Sequence, residues 1–251
     1  MRRALLLTVG ACASLCMIWL LSVQACKVIS VRMAQDQLTG TTVGYVQESG
    51  GEVLLPILIP GTDLVAERIV SYEGPFWEDG SGEHVTNVAA LLIRNTADRG
   101  IDHAEITLEA GAHQFVFWAD MIPAGAAVLV AEKGRKEYSV ELFTDCSGWV
   151  AFTGEDWNSS DVLDIQPVDM GTLKVTNLTD HVLTGIHIYY RNCLKDADIL
   201  VGGNTFVYCI DRLELGQSME IRPNIYAFGY SAILRIQQGE WEYNSGNIDR
   251  M

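Results

Sequence analysis

One short phrase occurs twice in this chain, and its alternation limits the fold more than any other feature. VAALLIRNTAD (88–98) and GTLKVTNLTD (171–180) each hold an apolar run that closes on Asn-x-x-Asp. With Asn95 aligned on Asn177, the copies match at an offset of 82 residues, and apolar residues recur at every second position. A period of two is typical of a β-strand with one buried face. We therefore expect a duplicated β-sheet unit.

The later part of each copy continues the repeat at a different offset. HQFVFWAD (113–120) matches NTFVYCID (204–211) at 91 residues, and MIPAGAAVLV (121–130) matches RLELGQSMEI (212–221) at the same spacing. The change from 82 to 91 places a nine-residue insertion within 191–205 of the second copy. Gly125 and Gly216 are equivalent, and Ile122-Pro-Ala-Gly125 fits a type I turn with Pro at its second position.

Short strands and turn residues fill the rest of both copies. Further strand candidates are 140–143, 149–152 and 162–165 in the first copy and 232–236 in the second. Asn and Asp in NTAD and NLTD can bond their own backbone and close a loop between strands. No segment after residue 40 shows a helical stripe over 12 residues. The pattern predicts an all-β chain with two consecutive sandwich domains behind an N-terminal hydrophobic helix.

The repeat divides the chain into five predicted parts. These are a signal anchor or signal peptide (1–25), an extended or irregular segment (26–70), a first sandwich (71–168), a second sandwich (169–240) and a tail (241–251). GEVLLPILIPG (51–61) is apolar with two prolines, and we expect it to pack against the first sandwich. An exposed groove ligand or self-association strip is the alternative. The second copy, with about five clear strands, is expected to draw on the first for its core.

The repeated pattern is similar to a known class of module. V-x-N-x-x-D, an alternating strand, and P/L-x-G before a further strand resemble the immunoglobulin-like modules of bacterial surface proteins, of the CARDB or FxLYD kind. The resemblance covers about residues 85–240. It implies immunoglobulin-like sandwiches outside the cytoplasm that serve as spacers or adhesive units, and it implies no particular ligand.

The N-terminus has the layout of an export signal. Arg2 and Arg3 precede an uncharged stretch over 4–26, which is also long enough for a membrane helix. Three outcomes remain open: an uncleaved signal anchor, a lipoprotein with lipidated Cys26, or cleavage after Ala25 and secretion. All three place the bulk of the chain outside the cytoplasm, with the membrane as a partner in the first two.

The charge of the chain excludes one class of partner. Residues 1–25 hold two arginines and no acid, so the remainder carries 15 Lys and Arg against 32 Asp and Glu, a balance of −17. Such a surface repels phosphate backbones, which excludes nucleic acid. It suits a soluble extracytoplasmic face, with divalent cations or basic partners nearby.

The cysteines allow at most one bridge in the repeat region. Cys146, Cys193 and Cys209 lie there, and Cys193–Cys209 is the most local pair. A simple hairpin would instead put Cys209 opposite a residue near His187, too far along the ladder from Cys193. None of the spacings typical of zinc sites occurs.

The remaining candidates for chemistry are acidic loops and aromatic side chains. Asp79 and Glu83, and separately Asp156 and Asp161, offer oxygen ligands without the full calcium-loop pattern. Trp118 alternates out of phase with Phe115 and Phe117, so we expect it to face solvent, and Trp77 is the second binding-face candidate. We expect Asp102 and His103 to form a solvated pair in a loop. No nucleophile, base or nucleotide motif is recognisable, and no cofactor is implied.

These observations favour a protein without catalysis. We expect a membrane-anchored extracytoplasmic structural or protein-interaction module of a bacterial cell envelope, whose partners are envelope proteins or a second copy of itself. The alternative is a carbohydrate- or cation-binding accessory module of cell-surface machinery. Exposure of Trp77 and Trp118 in one groove would favour the alternative.

Overall fold

The described part of the chain is built only of β-strands and connecting loops. The computed structural model describes residues 55–139, 143–152, 161–194 and 199–239. The strands are β1 (Ile57–Leu58), β2 (Leu64–Phe76), β3 (Glu83–Asn95), β4 (Ile101–Ala110), β5 (His113–Ile122), β6 (Ala127–Ala131), β7 (Asp145–Ala151), β8 (Leu163–Pro167), β9 (Leu173–Asn177), β10 (Leu183–Leu194), β11 (Ile199–Leu213), β12 (Ser218–Ile221) and β13 (Ser231–Gln238). Within these ranges no helix is long and apolar enough to cross a membrane.

Several sequence predictions fall outside the described residues. They concern the anchor or signal peptide (1–25), the lipidation candidate Cys26, the start of segment 26–70, the metal candidate Asp156 and the tail (241–251). Of the strand candidate 140–143, only Phe143 is described, and its side chain is buried.

The first repeat, here called unit 1 (55–152), packs two sheets face to face. Strands β1, β2, β3 and β6 form one layer in that order, and β5, β4 and β7 form the other. A buried core between the layers draws alternate residues from both, as in a β-sandwich. Ala104, Ile106 and Leu108 of β4 belong to it, so the alternation in the sequence correctly predicted the inward face.

The second repeat, unit 2 (161–239), has the same arrangement. Strands β12, β9 and β8 form one layer, and β11, β10 and β13 form the other. Its core includes Ile186, Ile188 and Tyr190, the predicted equivalents of the unit 1 residues. That core consists only of residues from unit 2, although the sequence suggested that unit 2 would draw on unit 1. Strand β8 pairs with β9, so the strand predicted at 162–165 for the first repeat lies in the second.

The repeated asparagine fixes the same loop in both units. Asn95 Nδ2 donates to the carbonyl oxygens of Arg99 (2.8 Å), Ile122 (3.1 Å) and Pro123 (3.1 Å). In unit 2, Asn177 Nδ2 donates to the equivalent oxygens, those of His181 (2.8 Å), Leu213 (3.2 Å) and Glu214 (3.1 Å). Each side-chain oxygen also accepts the N–H two residues later, of Ala97 or Thr179. The sequence predicted loop closure, and the structure adds a tie to the end of a distant strand.

The turns at the two equivalent glycines differ slightly from the prediction. The N–H of Ala126 donates to Pro123 O at 3.1 Å, and that of Gln217 donates to Glu214 O at 3.0 Å. The turns therefore start one residue later than predicted, with the glycines at their third position. Gly125 has φ of 72° and Gly216 of 64°, a conformation that favours glycine.

The nine-residue insertion joins the two units into one sheet. It lengthens the β10–β11 hairpin, whose tip we call the junction hairpin (191–194 and 199–203). Ile199, Leu200 and Val201 pair in parallel with Ala127, Val128 and Leu129 of β6. A seven-stranded sheet results, in the order β1-β2-β3-β6-β11-β10-β13. In unit 1 the equivalent strands are joined by a tight turn, because β4 ends at Ala110 and β5 begins at His113.

The described end of the N-terminal segment joins the first sheet. Residues 64–76 form the long strand β2, which pairs with β3 from Leu64 opposite Asn95 to Phe76 opposite Glu83. The segment predicted as extended or irregular (26–70) therefore ends in a paired strand, because β3 offers a full pairing edge. Leu55 and Ile59 lie in the unit 1 core, which confirms that the described part of the apolar run 51–61 packs against the first unit.

Candidate functional site

The outward face of the β5–β4–β7 sheet is the most distinctive surface of the described residues. Cross-strand pairing places Trp118, Glu105 and Trp149 on one rung and Asp120, His103 and Ala151 on the next. Alternation explains this, because the intervening residues Ala104, Ile106 and Phe117 point into the core. We call the group Trp118, His103, Trp149, Glu105 and Asp120 the aromatic face.

Three rings form a row across this face. The His103 and Trp118 centroids lie 6.0 Å apart with an interplanar angle of 28°. Those of His103 and Trp149 lie 4.9 Å apart with an angle of 38°. Trp149 is 51% exposed at the edge of the row, whereas Trp118 is half-buried and its Nε1 has no partner among the described residues. The rings hold one another in place and leave one indole open to solvent.

His103 is fixed by a carboxylate. Its Nδ1 lies 2.6 Å from Asp120 Oδ1. The expectation of a solvated loop pair with Asp102 was wrong, because His103 lies within β4 and pairs across the strand. Asp102 instead lies 3.8 Å from Arg235 of unit 2, both side chains being largely buried.

Beneath the aromatic face, a buried arginine ties it to unit 2. Arg191 is fully buried, and its Nη2 donates to the carbonyl oxygens of Asp120 and Gly203 and to Thr205 Oγ1. Burial lowers the pKa of Arg191 to about 10, although the nearby carboxylates of Asp120 and Glu78 oppose that change. The backbone of β5 at Asp120 is thereby fixed from behind by the other unit.

Glu78 supplies a further polar contact across the junction. Its Oε1 accepts the N–H of Ala131 (2.8 Å) and of Gly203 (3.2 Å). Burial raises the pKa of Glu78, and these backbone hydrogen bonds oppose the increase. Since Ala131 ends β6 and Gly203 belongs to the junction hairpin, one carboxyl group bridges the units.

The two predicted binding-face tryptophans do not share a groove. Unit 1 has a second apolar face, on the side of the β2–β3–β6 sheet away from its core, which includes Val70, Ala90 and Leu129. Trp77 is half-buried against this face, its ring lies 6.1 Å from that of Phe206, and its carbonyl accepts a hydrogen bond from Asn204 Nδ2 at 2.6 Å. Trp118 lies on the aromatic face with Trp149, which was not one of the two predicted binding-face residues. In the letters of β7, Trp149 alternates out of phase with Cys146, Gly148 and Val150, and this was the signal that could have selected it.

The acidic candidates for a metal site are arranged otherwise. Arg135 donates to Asp79 Oδ2 at 2.5 Å and to Glu83 Oε2 at 2.7 Å, so a guanidinium lies where the sequence suggested a cation. Hydrogen bonds from Ser81 and Arg135 hold the pKa of Asp79 below its usual range, although partial burial acts against them. Asp161 is exposed at the start of unit 2. Among the described residues, no group of three or more His, Cys, Asp or Glu side chains could hold a metal ion.

The predicted disulfide partners, Cys193 and Cys209, are not bridged. Cys209 pairs with His187 across the β10–β11 ladder, and Cys193 pairs with Leu200. The register matches the geometric objection that the sequence raised, because it separates the two thiols along the hairpin. Cys146 is also free, and burial raises the pKa of its thiol to about 11.

A cleft of about 490 Å³ lies at the junction of the two units. Its lining is mostly apolar and comprises Pro123, Ala126, Cys193, Leu194, Leu200, Gly229, Ser231, Ala232, Ile233 and Leu234. Among the described residues its wall contains the Cys193 thiol and the Ser231 hydroxyl but no carboxylate, imidazole or guanidinium.

Comparison with family models, with curated proteins and with solved structures returns no match to this chain. The functional argument therefore rests on the geometry of the chain itself. On that geometry, the aromatic face can stack a ligand against Trp149 and bond it to Glu105.

Proposed function

We propose that this protein is a membrane-anchored, extracytoplasmic interaction module of a bacterial cell envelope, without catalysis. The observation that carries the proposal is Trp149, a large indole 51% exposed on an ordered sheet face. Exposed aromatic side chains held by neighbours are typical of sites that bind partners. The face spans three paired strands, and we infer that such a surface suits a protein partner better than a small substrate.

The proposed fold class is a tandem of immunoglobulin-like sandwiches, related to modules of the CARDB or FxLYD kind. With the two-residue β1 left aside, the first, second and fifth strands of each unit form one sheet and the third, fourth and sixth form the other. An immunoglobulin-like sandwich whose fourth strand pairs with the third, and which lacks its last strand, has this order. The resemblance in the sequence and the strand order support the proposal independently.

The proposed location rests on the sequence of the N-terminus. Two arginines followed by an uncharged stretch over 4–26 favour a single-pass anchor, with lipidation at Cys26 or cleavage as the alternatives. Mass spectrometry of the mature chain distinguishes them. An intact 1–25 segment supports the anchor, and a diacylglyceryl group on Cys26 would replace it by a lipoprotein.

Photo-crosslinking in bacterial cells tests the interaction role. A crosslinking residue replaces Trp149, and a matched one replaces Phe228, which is 52% exposed on unit 2. We expect crosslinked protein adducts from position 149 and none from position 228. We also expect the chain in the membrane fraction, and protease added to the outside of intact cells should cleave it. A chain that stays in the cytosolic fraction, or equal adducts at both positions, would refute the proposal.

A second candidate is a carbohydrate-binding accessory module. The same exposed indole favours it, because sugar rings stack on tryptophan, and Glu105 on the same rung could accept hydrogen bonds from hydroxyl groups. Titration with a neutral oligosaccharide distinguishes this candidate from protein binding.

A further inference from the structure

We propose that the aromatic face binds an extended, arginine- or lysine-bearing segment of a partner protein. The proposal rests on the interaction role above and names the chemistry of the partner. Three observations support it: the charge of the three strands, the position of the exposed indole beside a carboxylate, and a second acidic rung farther along the same strands.

The three strands carry five acidic residues and no Lys or Arg of their own. Strands β4, β5 and β7 contain Asp102, Glu105, Glu109, Asp120 and Asp145, and they contain no Lys or Arg. Asp120 is matched by His103 and Asp102 by Arg235. The other three carboxylates form no ion pair within the described ranges. Such a face attracts cations and repels acidic partners.

The exposed indole lies where a cation would also meet a carboxylate. Glu105 pairs with Trp118 on one side and with Trp149 on the other, so it stands between the two indoles. Tryptophan is the best of the aromatic side chains for cation–π contact. A guanidinium can therefore stack on Trp149 and bond to Glu105 at once, and its planar shape suits both contacts better than an ammonium does.

A second acidic rung gives the site a length. Glu109 of β4 pairs with Asp145 of β7 on the same outward face, two rungs beyond Glu105. Like charges directly opposite each other destabilise a sheet, and a bound cation would relieve this. Four residues of strand span about 13 Å. A partner segment that runs along the strands would thus present basic residues four positions apart.

Synthetic peptides test this arrangement on the full-length chain in detergent. The probe is a Ser/Thr decapeptide whose only charged side chains are two arginines four positions apart. One control peptide places the arginines at adjacent positions, and the other replaces both by glutamate. Calorimetry at low and moderate salt gives the dissociation constants. We expect the spaced peptide to bind tightest, its affinity to fall with salt, and the glutamate peptide not to bind.

Matched variants locate the binding. Trp149→Ala and Glu105→Gln should each weaken binding of the spaced peptide about fivefold, which corresponds to about 1 kcal/mol. Phe228→Ala and Glu220→Gln, exposed substitutions on unit 2, should leave the constant within about twofold. Circular dichroism of each variant checks the fold, and both site residues lie on the surface side of their strands.

Three results would overturn the inference. The first is the absence of saturable peptide binding, and the second is equal weakening by the control variants. The third is binding of chitohexaose but not of the peptide, with the chitohexaose binding lost in Trp149→Ala. The last result would assign the face to carbohydrate. None of them would remove the interaction module itself, whose membrane fractionation and crosslinking at position 149 are measured separately.

Discussion

At the scale of single residues, two asparagines show why a repeated letter need not mark a ligand site. Asn95 is fully buried and Asn177 is 2% exposed. Each must satisfy carbonyl oxygens from its own loop and from the end of a strand far along the chain. An amide does this because it offers N–H donors and an oxygen acceptor, whereas a carboxylate would only add a negative oxygen facing the carbonyls.

We expect Asn95→Ala and Asn177→Ala to lower the free energy of unfolding by about 2–3 kcal/mol each, because buried carbonyl oxygens lose their donor. The Asp variants should cost more, since they replace the donor by a charge. Urea denaturation followed by fluorescence and circular dichroism measures both. Asn224→Ala, on an exposed loop, is the control and should change the value by less than about 0.5 kcal/mol. A loss no greater than the control would contradict the proposed role.

The charge on Glu78 should make stability depend on pH. Burial raises its pKa above the ordinary 4.5, so the folded protein holds the proton more tightly than the unfolded chain. Glu78 therefore adds stability at low pH, which is lost as pH rises from about 4.5 through the raised folded value. In Glu78→Gln the amide oxygen can accept the same two N–H hydrogen bonds, and the loss of stability with rising pH should disappear.

Urea denaturation of the protein and of Glu78→Gln at intervals from pH 4 to pH 8 tests the sign. The stability of the protein relative to the variant should fall over this range. Glu220→Gln, at an exposed position, should give a curve parallel to that of the protein. Parallel curves for Glu78→Gln as well would show that Glu78 titrates alike in both states.

At the scale of strands, local alternation predicted most elements, but it did not predict which strand is buried on both faces. In β9 the exposed Lys174 alternates with the buried Leu173 and Val175. In β3 every residue from 88 to 93 is buried, because one face meets the unit 1 core and the other meets Leu194 and Val201 of unit 2. The letters Ala90 and Leu92 at outward positions were the available signal, but nothing local says what covers them.

The candidate site shows the same limit. Alternation predicted the outward direction of Trp118, and the structure places that side chain on the outward face, though half-buried. Its neighbours His103 and Trp149 come from strands whose register is set by distant pairings. A shift of one residue in β7 would turn Trp149 inward. A single sequence therefore gives the direction of each side chain more readily than the partners beside it.

The junction hairpin allows no side chain at Gly203. A Cβ there would lie 2.2 Å from the Trp118 carbonyl oxygen, a backbone atom that cannot move aside. We expect Gly203→Ala to lower the free energy of unfolding by about 1–3 kcal/mol through overpacking at the junction. Gly171→Ala is the matched control, because its Cβ would approach nothing closer than 3.9 Å. Equal stability of the two variants in urea would contradict the close packing.

At the scale of the whole molecule, the insertion joins the two copies through one continuous sheet. It adds β-ladder pairing between the units, it covers the second apolar face of unit 1, and it brings Arg191 and Glu78 into the junction. Duplication could be predicted from the repeat, and the site of the insertion could be read from the change of offset. The pairing of the insertion with the other copy could not be predicted, because pairing between distant segments produces no periodic pattern in the sequence.

Deleting the nine inserted residues should separate the unfolding of the two units. Trp77, Trp118 and Trp149 lie in unit 1 and residues 161–239 contain no tryptophan, so with Trp19, Trp157 and Trp241 replaced by Phe in every chain compared, fluorescence follows unit 1 while circular dichroism follows both. In the intact chain we expect the two urea curves to coincide. In the deletion variant the fluorescence curve should move to lower urea, because unit 1 loses the cover of Leu194, Leu200 and Val201. Leu215→Ser, in an exposed turn of unit 2, should leave the curves together. Coinciding curves in the deletion variant would show that the units are coupled by other contacts.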